Sequence, residues 1–367
     1  MNGARGPEPA RPTLEMVAAT AGVSRGTASR ALNGSPNVSV QALSAVKQAA
    51  AALGYRPNLA ARSLALGRGE TIGLVISETD ERLFDDPFFA TVVRGVHAEM
   101  RRSGTQLVLK LAQSDEEREQ VVRYATGHHL DGVLLVSVHG DDPLPRALAE
   151  AGVPVVNAGR PAAVRVLPGS IAQAARPTGQ VHEDLWWVDA DNRGGARLAT
   201  EHLVERGCRR IATVSGSLDM GVGRDRLAGW RDAVSAAGAD AGHVVPGEDL
   251  LVAGSDFTEA GGFEAMQSLL HRVPDLDGVF VASDLMALGA LAALRRAGRR
   301  VPQDVKVVGF DDIPAARLSD PPLTTVAQPV EELGRLMARL LLARTRGEPV
   351  ERTSVVLPTT VVVRATT

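Results

Sequence analysis

A chain of 367 residues with 44% apolar side chains has room for more than one domain and enough apolar surface to bury sizeable cores. Its one cysteine, Cys208, excludes an internal disulfide or a multi-cysteine metal cluster and predicts an inert, buried thiol. The formal charge of −3 is uneven: residues 1–68 carry eight Arg or Lys against Glu8 and Glu15, a net of +6, which leaves −9 on the rest and is the footprint of a nucleic-acid-binding head on an acidic body.

Residues 1–12 (MNGARGPEPARP) lack the apolar stretch of an export signal and read as a disordered arm, so a cytoplasmic protein is expected. No run of about 18 apolar residues predicts a membrane span. Thr13 is placed to cap a first helix, with Glu15 in its positive first turn. Leu14, Val17, Ala18 and Ala21 recur at helical spacing, and Gly22 ends the helix. Val23 plugs the angle to a second helix capped by Ser24. There Ala28, Ala31 and Leu32 face inward, and Arg25, Gly26, Ser29 and Arg30 face out. Asn33 and Gly34 stop it, and a third helix fits 40–53 before Gly54. Such a unit is a helix-turn-helix, whose second helix enters the DNA major groove. The alternative is a three-helix bundle with no DNA contact, and the local charge weighs against it.

Asn58 can cap a short helix over 59–66, ahead of Gly67-Arg68-Gly69; read alone, this is a linker with a helical turn. Beyond it, strand candidates at 71–76, 106–111, 132–137, 154–156, 210–214, 278–282 and 306–309 alternate with helical stretches at 88–103, 191–206, 224–237, 258–271 and 284–297. That rhythm predicts parallel βαβ units, in which ligands sit at the carboxyl ends of strands. Several chemistry-bearing residues fall there. Asp86-Pro87-Phe88-Phe89 opens a helix, and at least one of its aromatics should be core. Arg160 precedes a Pro/Gly/Ala-rich stretch, 161–181, that reads as a surface loop before Trp186-Trp187-Val188-Asp189. Arg226 and core-type Trp230 share a helix that also suits a surface ladder of ion pairs, and the lone Gly221-Val222-Gly223 is too weak a nucleotide signal. Phe257 follows Asp256. Ser283 precedes Asp284, which is expected to cap the next helix. Asp311 and Asp312 should point apart, as neighbours on extended backbone do, which argues against a catalytic carboxylate pair. His128-His129 read as a solvated helix end, and no set of nucleophile, base and orienting group is visible.

The run TLEMVAATAGVSRGTASRALNG, followed by VS and LGYRPNLAARSLA, resembles the LacI/GalR family of bacterial transcription regulators, and the likeness continues to the C-terminus. It is similar in particular to actinobacterial regulators of cellobiose or maltose use. The resemblance implies an α/β chain: an all-α helix-turn-helix head, a hinge helix, and a two-lobed core of parallel sheets like a periplasmic binding protein. The boundaries it implies are an arm at 1–12, the head at 13–57, the hinge at 58–69, one lobe from 70–190 with 329–357, and the other from 191–328 with 358–367. Crossovers are expected near residues 189–192 and 326–329.

By the same resemblance, Arg25, Gly26 and Ser29 lie on the base-reading face. Thr27, Arg30 and Asn33 anchor phosphates or an adjacent base edge, and the caps Thr13 and Ser24 join the DNA-facing set. Gly26 is a departure, since members often carry a base-reading side chain there; more of the reading then falls to Arg25, which suits guanine. In the hinge, Asn58 starts the helix, Leu64 would wedge the central base step, and Ala61 and Arg62 would line the minor groove of a palindromic operator bound by a homodimer. In the core, Phe89 would stack on the effector beside Phe88 and Asp86, with Arg226, Phe257, Ser283 and Asp311 completing the cleft. Gly159 stands where an aspartate is common, Arg160 is kept, and Trp187 with Asp189 would close one end. These changes imply a sugar larger than a monosaccharide, a disaccharide. The expectation is a sugar-responsive repressor that needs no cofactor or metal and is not an enzyme. A free-standing sugar-binding transport protein shares the core but has no use for residues 13–64.

Overall fold

The structure, a computed structural model, describes residues 12–32, 35, 37–55, 71–140, 142–160, 185–241 and 248–367. It divides into two units, 1–69 and 70–367.

The first unit contains α1 (Leu14–Ala21), α2 (Arg25–Leu32) and α3 (Val40–Leu53). Each start has a side-chain cap: Thr13 Oγ1 accepts from Met16 N at 3.3 Å, Ser24 Oγ from Thr27 N at 3.1 Å and Ser39 Oγ from Ala42 N at 3.3 Å. Gly22 and Gly54 end α1 and α3 with φ of 66° and 64°, where a Cβ would be strained. The buried side chains are small: Val17, Ala18, Ala28, Ala31, Val46, Ala49 and Ala50. Alanines at the contacts let three short helices approach closely enough to share a minimal core, with Val23 packed against it.

The second unit holds two six-stranded sheets. The first is ordered β11-β5-β4-β3-β1-β2, from β1 (Thr71–Ile76), β2 (Gln106–Leu111), β3 (Gly132–Val136), β4 (Val155–Ala158), β5 (Trp186–Ala190) and β11 (Ser354–Leu357). All its pairings are parallel. The second is ordered β12-β10-β9-β8-β6-β7, from β6 (Ile211–Ser215), β7 (Val252–Gly254), β8 (Gly278–Val281), β9 (Lys306–Asp311), β10 (Thr324–Ala327) and the antiparallel edge strand β12 (Thr360–Val362). The central strands are buried along their length, so they read as continuous apolar runs. This is the α/β architecture the sequence implies.

The helices flanking the first sheet are α4 (Asp80–Asp85), α5 (Pro87–Ser103), α6 (Asp115–Tyr124) and α7 (Leu144–Glu150). With the second sheet go α8 (Asn192–Glu205), α9 (Gly221–Ala241), α10 (Glu248–Leu251), α11 (Glu259–Arg272), α12 (Asp284–Arg296) and α13 (Pro314–Leu318), while α14 (Val330–Arg346) returns to the first. The chain thus passes between the sheets three times: from β5 to α8, from β10 to α14, and from β11 to β12. Helices α5 and α14 touch through glycines: a Cβ on Gly95 would lie 2.1 Å from the Glu331 carbonyl oxygen, and one on Gly334 would lie 2.5 Å from that of Val92.

Some expectations shift. Helix α9 begins at Gly221, so Gly221-Val222-Gly223 is its first turn and not a loop. The helix-capping role expected of Asp284 belongs to Ser283, whose Oγ accepts from Met286 N at 3.3 Å. Asp284 turns inward instead and accepts from Thr325 Oγ1 at 2.6 Å and Ile313 N at 2.9 Å; its room comes from Gly309, where a Cβ would sit 2.2 Å from its Oδ1. Trp230 is buried, and the Cys208 thiol donates to the Asp277 carbonyl. Burial raises that thiol to about 11. His128 and His129 are exposed on a π-helical turn, Ala125–His129. Among the described residues, no helix is long and apolar enough to cross a membrane.

Candidate functional site

On α2, Ser24, Arg25, Gly26 and Arg30 are exposed, Thr27 and Ser29 are half-buried, and Ala28 and Ala31 are buried beneath them. Thr13 is exposed at the start of α1. The helix therefore presents one polar face, held by an apolar face of small residues. Arg25 is not isolated on it: its Nε lies 2.8 Å from Glu15 Oε1, across from α1. That pair engages Nε and not the Nη atoms, two N–H donors that can serve guanine O6 and N7 together. At Gly26 a Cβ would meet only Ser24 Oγ, at 3.9 Å, so nothing in the head itself requires a glycine there. Asn33, Asn58, Ala61, Arg62 and Leu64 lie outside the described residues.

In the second unit a cavity of about 500 Å³ opens at the carboxyl ends of both sheets. Its wall brings together Asp86, Phe88, Phe89, Arg160, Asp189, Arg226, Phe257, Ser283 and Asp311 from segments far apart in the chain. Arg226 is its buried centre. Nε donates to Asn192 Oδ1 at 2.9 Å, Nη1 donates to the Ala282 carbonyl at 2.5 Å and lies 3.2 Å from Asp311 Oδ1, and the guanidinium sits 3.7 Å over the Phe310 ring. The surface ion-pair ladder is thereby excluded for this side chain. Asp311 ends β9 with φ 115° and also accepts from Gln328 Nε2 at 2.6 Å. Burial pushes its carboxyl up to about 7 against the downward pull of Arg226. Asp312, at φ 55°, pairs with Arg364. The two aspartates therefore serve different partners, through left-handed rather than extended backbone.

Asp189 accepts from Arg160 N at 3.2 Å and Asn192 Nδ2 at 2.9 Å; burial, reinforced by the charge of Asp225, raises its carboxyl to about 6. Asp86 caps α5 through Phe88 N at 2.9 Å, and burial raises it too. The aromatic expectation needs correcting in detail. Phe89 is only 1% exposed and packs edge-to-face against Phe88 at 5.4 Å, so Phe88 is the ring with surface to offer. Trp187 is not in the wall at all. It stands two residues before Asp189 on β5, below the strand end, where its ring lies 5.3 Å from the Arg160 guanidinium. It carries Arg160 instead of closing the cavity. Phe257 has φ 67°, rests on Gly216, where a Cβ would come within 1.9 Å of the ring, and meets Arg82 at 5.1 Å.

Sequence reasoning did not single out Asn192, Gln328, Phe310, Arg82, Asn157 or Asp219. Asn192 and Gln328 sit on the crossovers, so position alone could have marked them; Phe310 and Arg82 carry no such signal. The chemistry of the wall is uniform. Carboxylates accept and a guanidinium donates in one plane, which suits adjacent hydroxyl groups, while the half-buried Phe88 ring offers an apolar face and Phe257, largely buried, adds apolar lining.

Comparison with known proteins agrees with this division of labour. Residues 13–58 match the family described as bacterial regulatory proteins, lacI family, and residues 200–367 match a periplasmic binding protein-like domain. The chain is 50% identical over 354 residues to the HTH-type transcriptional regulator CelR of Thermobifida fusca, covering 96% of this chain and 98% of that one. It is 34% identical to the ribose operon repressor of Escherichia coli strain K12, covering 90% and 92%. Among solved structures, a transcriptional regulator CelR–cellobiose complex matches with a TM-score of 0.73 at 48% identity, covering 97% of this chain and all of the other. The lac repressor dimer bound to operator and the anti-inducer ONPF matches with a TM-score of 0.79 at 26% identity, covering 97% and 98%. A helix-turn-helix head on a two-sheet core, matched along nearly its whole length by such regulators, places the chain in the LacI family of bacterial transcription regulators.

Proposed function

We propose that the cavity takes a carbohydrate effector, a disaccharide of the cellobiose type, and that its binding releases this regulator, as a homodimeric repressor, from a palindromic operator. The observation that carries the reading is the Arg226–Asp311 pair, which shares the wall of a cavity of about 500 Å³ with Phe88 and Phe257. Charged fork and carboxylate suit adjacent ring hydroxyls, and the aromatics suit the C–H faces of sugar rings. The cellobiose complex of a relative 48% identical supports the disaccharide. Arg160, braced on Trp187 and backed by Asp189, supplies polar groups for a second ring.

On the DNA side, Thr13, Ser24, Thr27, Ser29 and Arg30 take the backbone or a neighbouring base edge, and Arg25 reads a guanine. Asn33 and the hinge residues Asn58, Ala61, Arg62 and Leu64 complete the set. Effector closes the cleft and disengages the paired hinges, a two-state change in which effector and operator weaken each other equally. The protein acts in the cytoplasm and by binding alone, without cofactor or catalysis. The test is a thermal-shift screen with mono- and disaccharides, followed by operator release, because a ligand that binds only the folded state raises its melting temperature. Stabilisation by disaccharides with loss of operator binding is expected; a screen in which no sugar stabilises the protein sinks the effector assignment.

A further inference from the structure

The loop after β3 reaches across the cavity mouth to the loop after β6, where Gly140 N donates to the Asp219 carbonyl at 3.0 Å. Beside it, His139 lies between two carboxylates from opposite sides of the cleft. Its Nε2 is 3.0 Å from Glu78 Oε1, and its Nδ1 is 2.8 Å from Asp219 Oδ2. Glu78, just after β1, is buried, and the same oxygen accepts from the Ser137 hydroxyl and from Arg82 Nη1 at 2.7 Å. Asp219 accepts from the Ser217 hydroxyl at 2.5 Å. Both carboxylates therefore act as acceptors. A neutral imidazole has one N–H and one lone pair, so it satisfies one of them and sets a lone pair against the other. The imidazolium satisfies both. Val138, Gly140 and Asp219 line the cavity, but the His139 ring does not.

We propose that His139 is a positioning residue for effector binding: as an imidazolium it clasps the two lobes across the cavity mouth, so closure around the effector takes up a proton. This rests on reading the cavity as the effector site. The charged groups around the ring are Glu78 and Arg82 behind it, Asp142 and Arg118 beside its own loop, and Asp219 and Arg224 from the opposite lobe. The three guanidiniums are engaged with Glu78, with Asp142, and with the Leu218 and Asp219 carbonyls respectively. The bond to Glu78 first, and that to Asp219 after it, raise the ring's pKa, while burial works against them. A raised histidine pKa contributes below the ordinary value and is lost as pH rises through the raised one, so the clasp belongs to the acid side.

The test uses the full-length chain in two arms. By ¹⁵N histidine NMR, His139 should titrate above an ordinary imidazole, further above it with saturating cellobiose than without, and Asp219→Asn should bring it down in both states; a titration indifferent to Asp219→Asn, or unmoved by cellobiose that binds, overturns the clasp. Calorimetry with cellobiose in buffers of different ionisation enthalpy reads the linkage. Cavity carboxylates release protons on binding, so the difference between the wild type and His139→Gln isolates the ring. That difference should be net uptake, with affinity falling up to ~10-fold per pH unit on the alkaline side in the wild type alone. Identical proton exchange in both proteins overturns the proposal. If no sugar binds although the histidine titration responds to Asp219→Asn, the effector reading fails and the positioning role with it, leaving only a lobe-to-lobe contact.

Discussion

Arg226 and Asp311 show why a residue's type and its use are separate questions. An arginine on a helix is normally a solvated cation, yet here burial makes the fork depend on Asp311, Asn192 and a carbonyl for its solvation. Arg226→Ala is therefore expected to abolish the effector response and also to cost stability, by about 3–5 kcal/mol, since an unpaired buried carboxylate remains. Asp311→Asn is the gentler probe and should weaken effector binding at least ~10-fold while the head still binds operator, measured by calorimetry and gel shift. The carboxylates also set a pH dependence. Asp311 at about 7 and Asp189 at about 6 are raised by burial, so without ligand the fold is favoured as pH falls through those values towards the ordinary carboxylate range. Hydroxyls that donate to the ionised forms reverse the sign for binding. Effector affinity should fall as pH drops from about 8 to about 5.5, by up to ~10-fold per unit per group. In His139→Gln, where no histidine proton uptake opposes the trend, a flat profile over that range would show that neither carboxylate meets the effector.

Helices carry the next set of consequences. In α2 the open space at Gly26 means that Gly26→Ala should stabilise the head, by about 0.5–1 kcal/mol, because alanine is the better helix former and meets only Ser24 Oγ. Its operator affinity should fall if DNA approaches that backbone closely; denaturation and gel-shift measurements on one protein separate the effects, and a loss of stability would refute the packing argument. Between α5 and α14 the reverse holds. Gly95→Ala puts a methyl against the Glu331 carbonyl, so the helices must part, at a cost of about 1–3 kcal/mol in chemical denaturation. Legibility also varied by element. The apolar runs of the central strands stood out because both faces are buried. Short β10 and β12 offer three or four residues each and no period to read. Helix α14 carries a stripe as readable as those runs: Val330, Leu333, Met337, Leu340 and Leu341 recur at helical spacing. At the start of α12, Ser283 and Asp284 are both good caps, and only the space left by Gly309 draws Asp284 inward.

For the molecule as a whole, the proposed switch has a thermodynamic signature. If effector weakens operator affinity by some factor, operator must weaken effector affinity by the same factor. Measuring both by titration should give matching factors, and a clear mismatch would rule out a two-state linkage. Local pattern and charge in the sequence were enough to determine a basic helix-turn-helix head, a linker and a βαβ body, because caps, helical stripes and buried-strand runs are written over a few adjacent residues. The family resemblance then pointed to Arg226, Asp311 and Phe257. Which side chains actually share the cavity was decided by the tertiary structure. Trp187 lies two residues before Asp189 on β5 and outside the wall, Phe89 backs the wall from the core while Phe88 stays accessible, and Asn192 and Gln328 enter from the crossovers. His139 meets Asp219, 80 positions away. Such contacts arise where loops from two sheets converge, and that convergence depends on how the sheets pack, which no short window of sequence encodes.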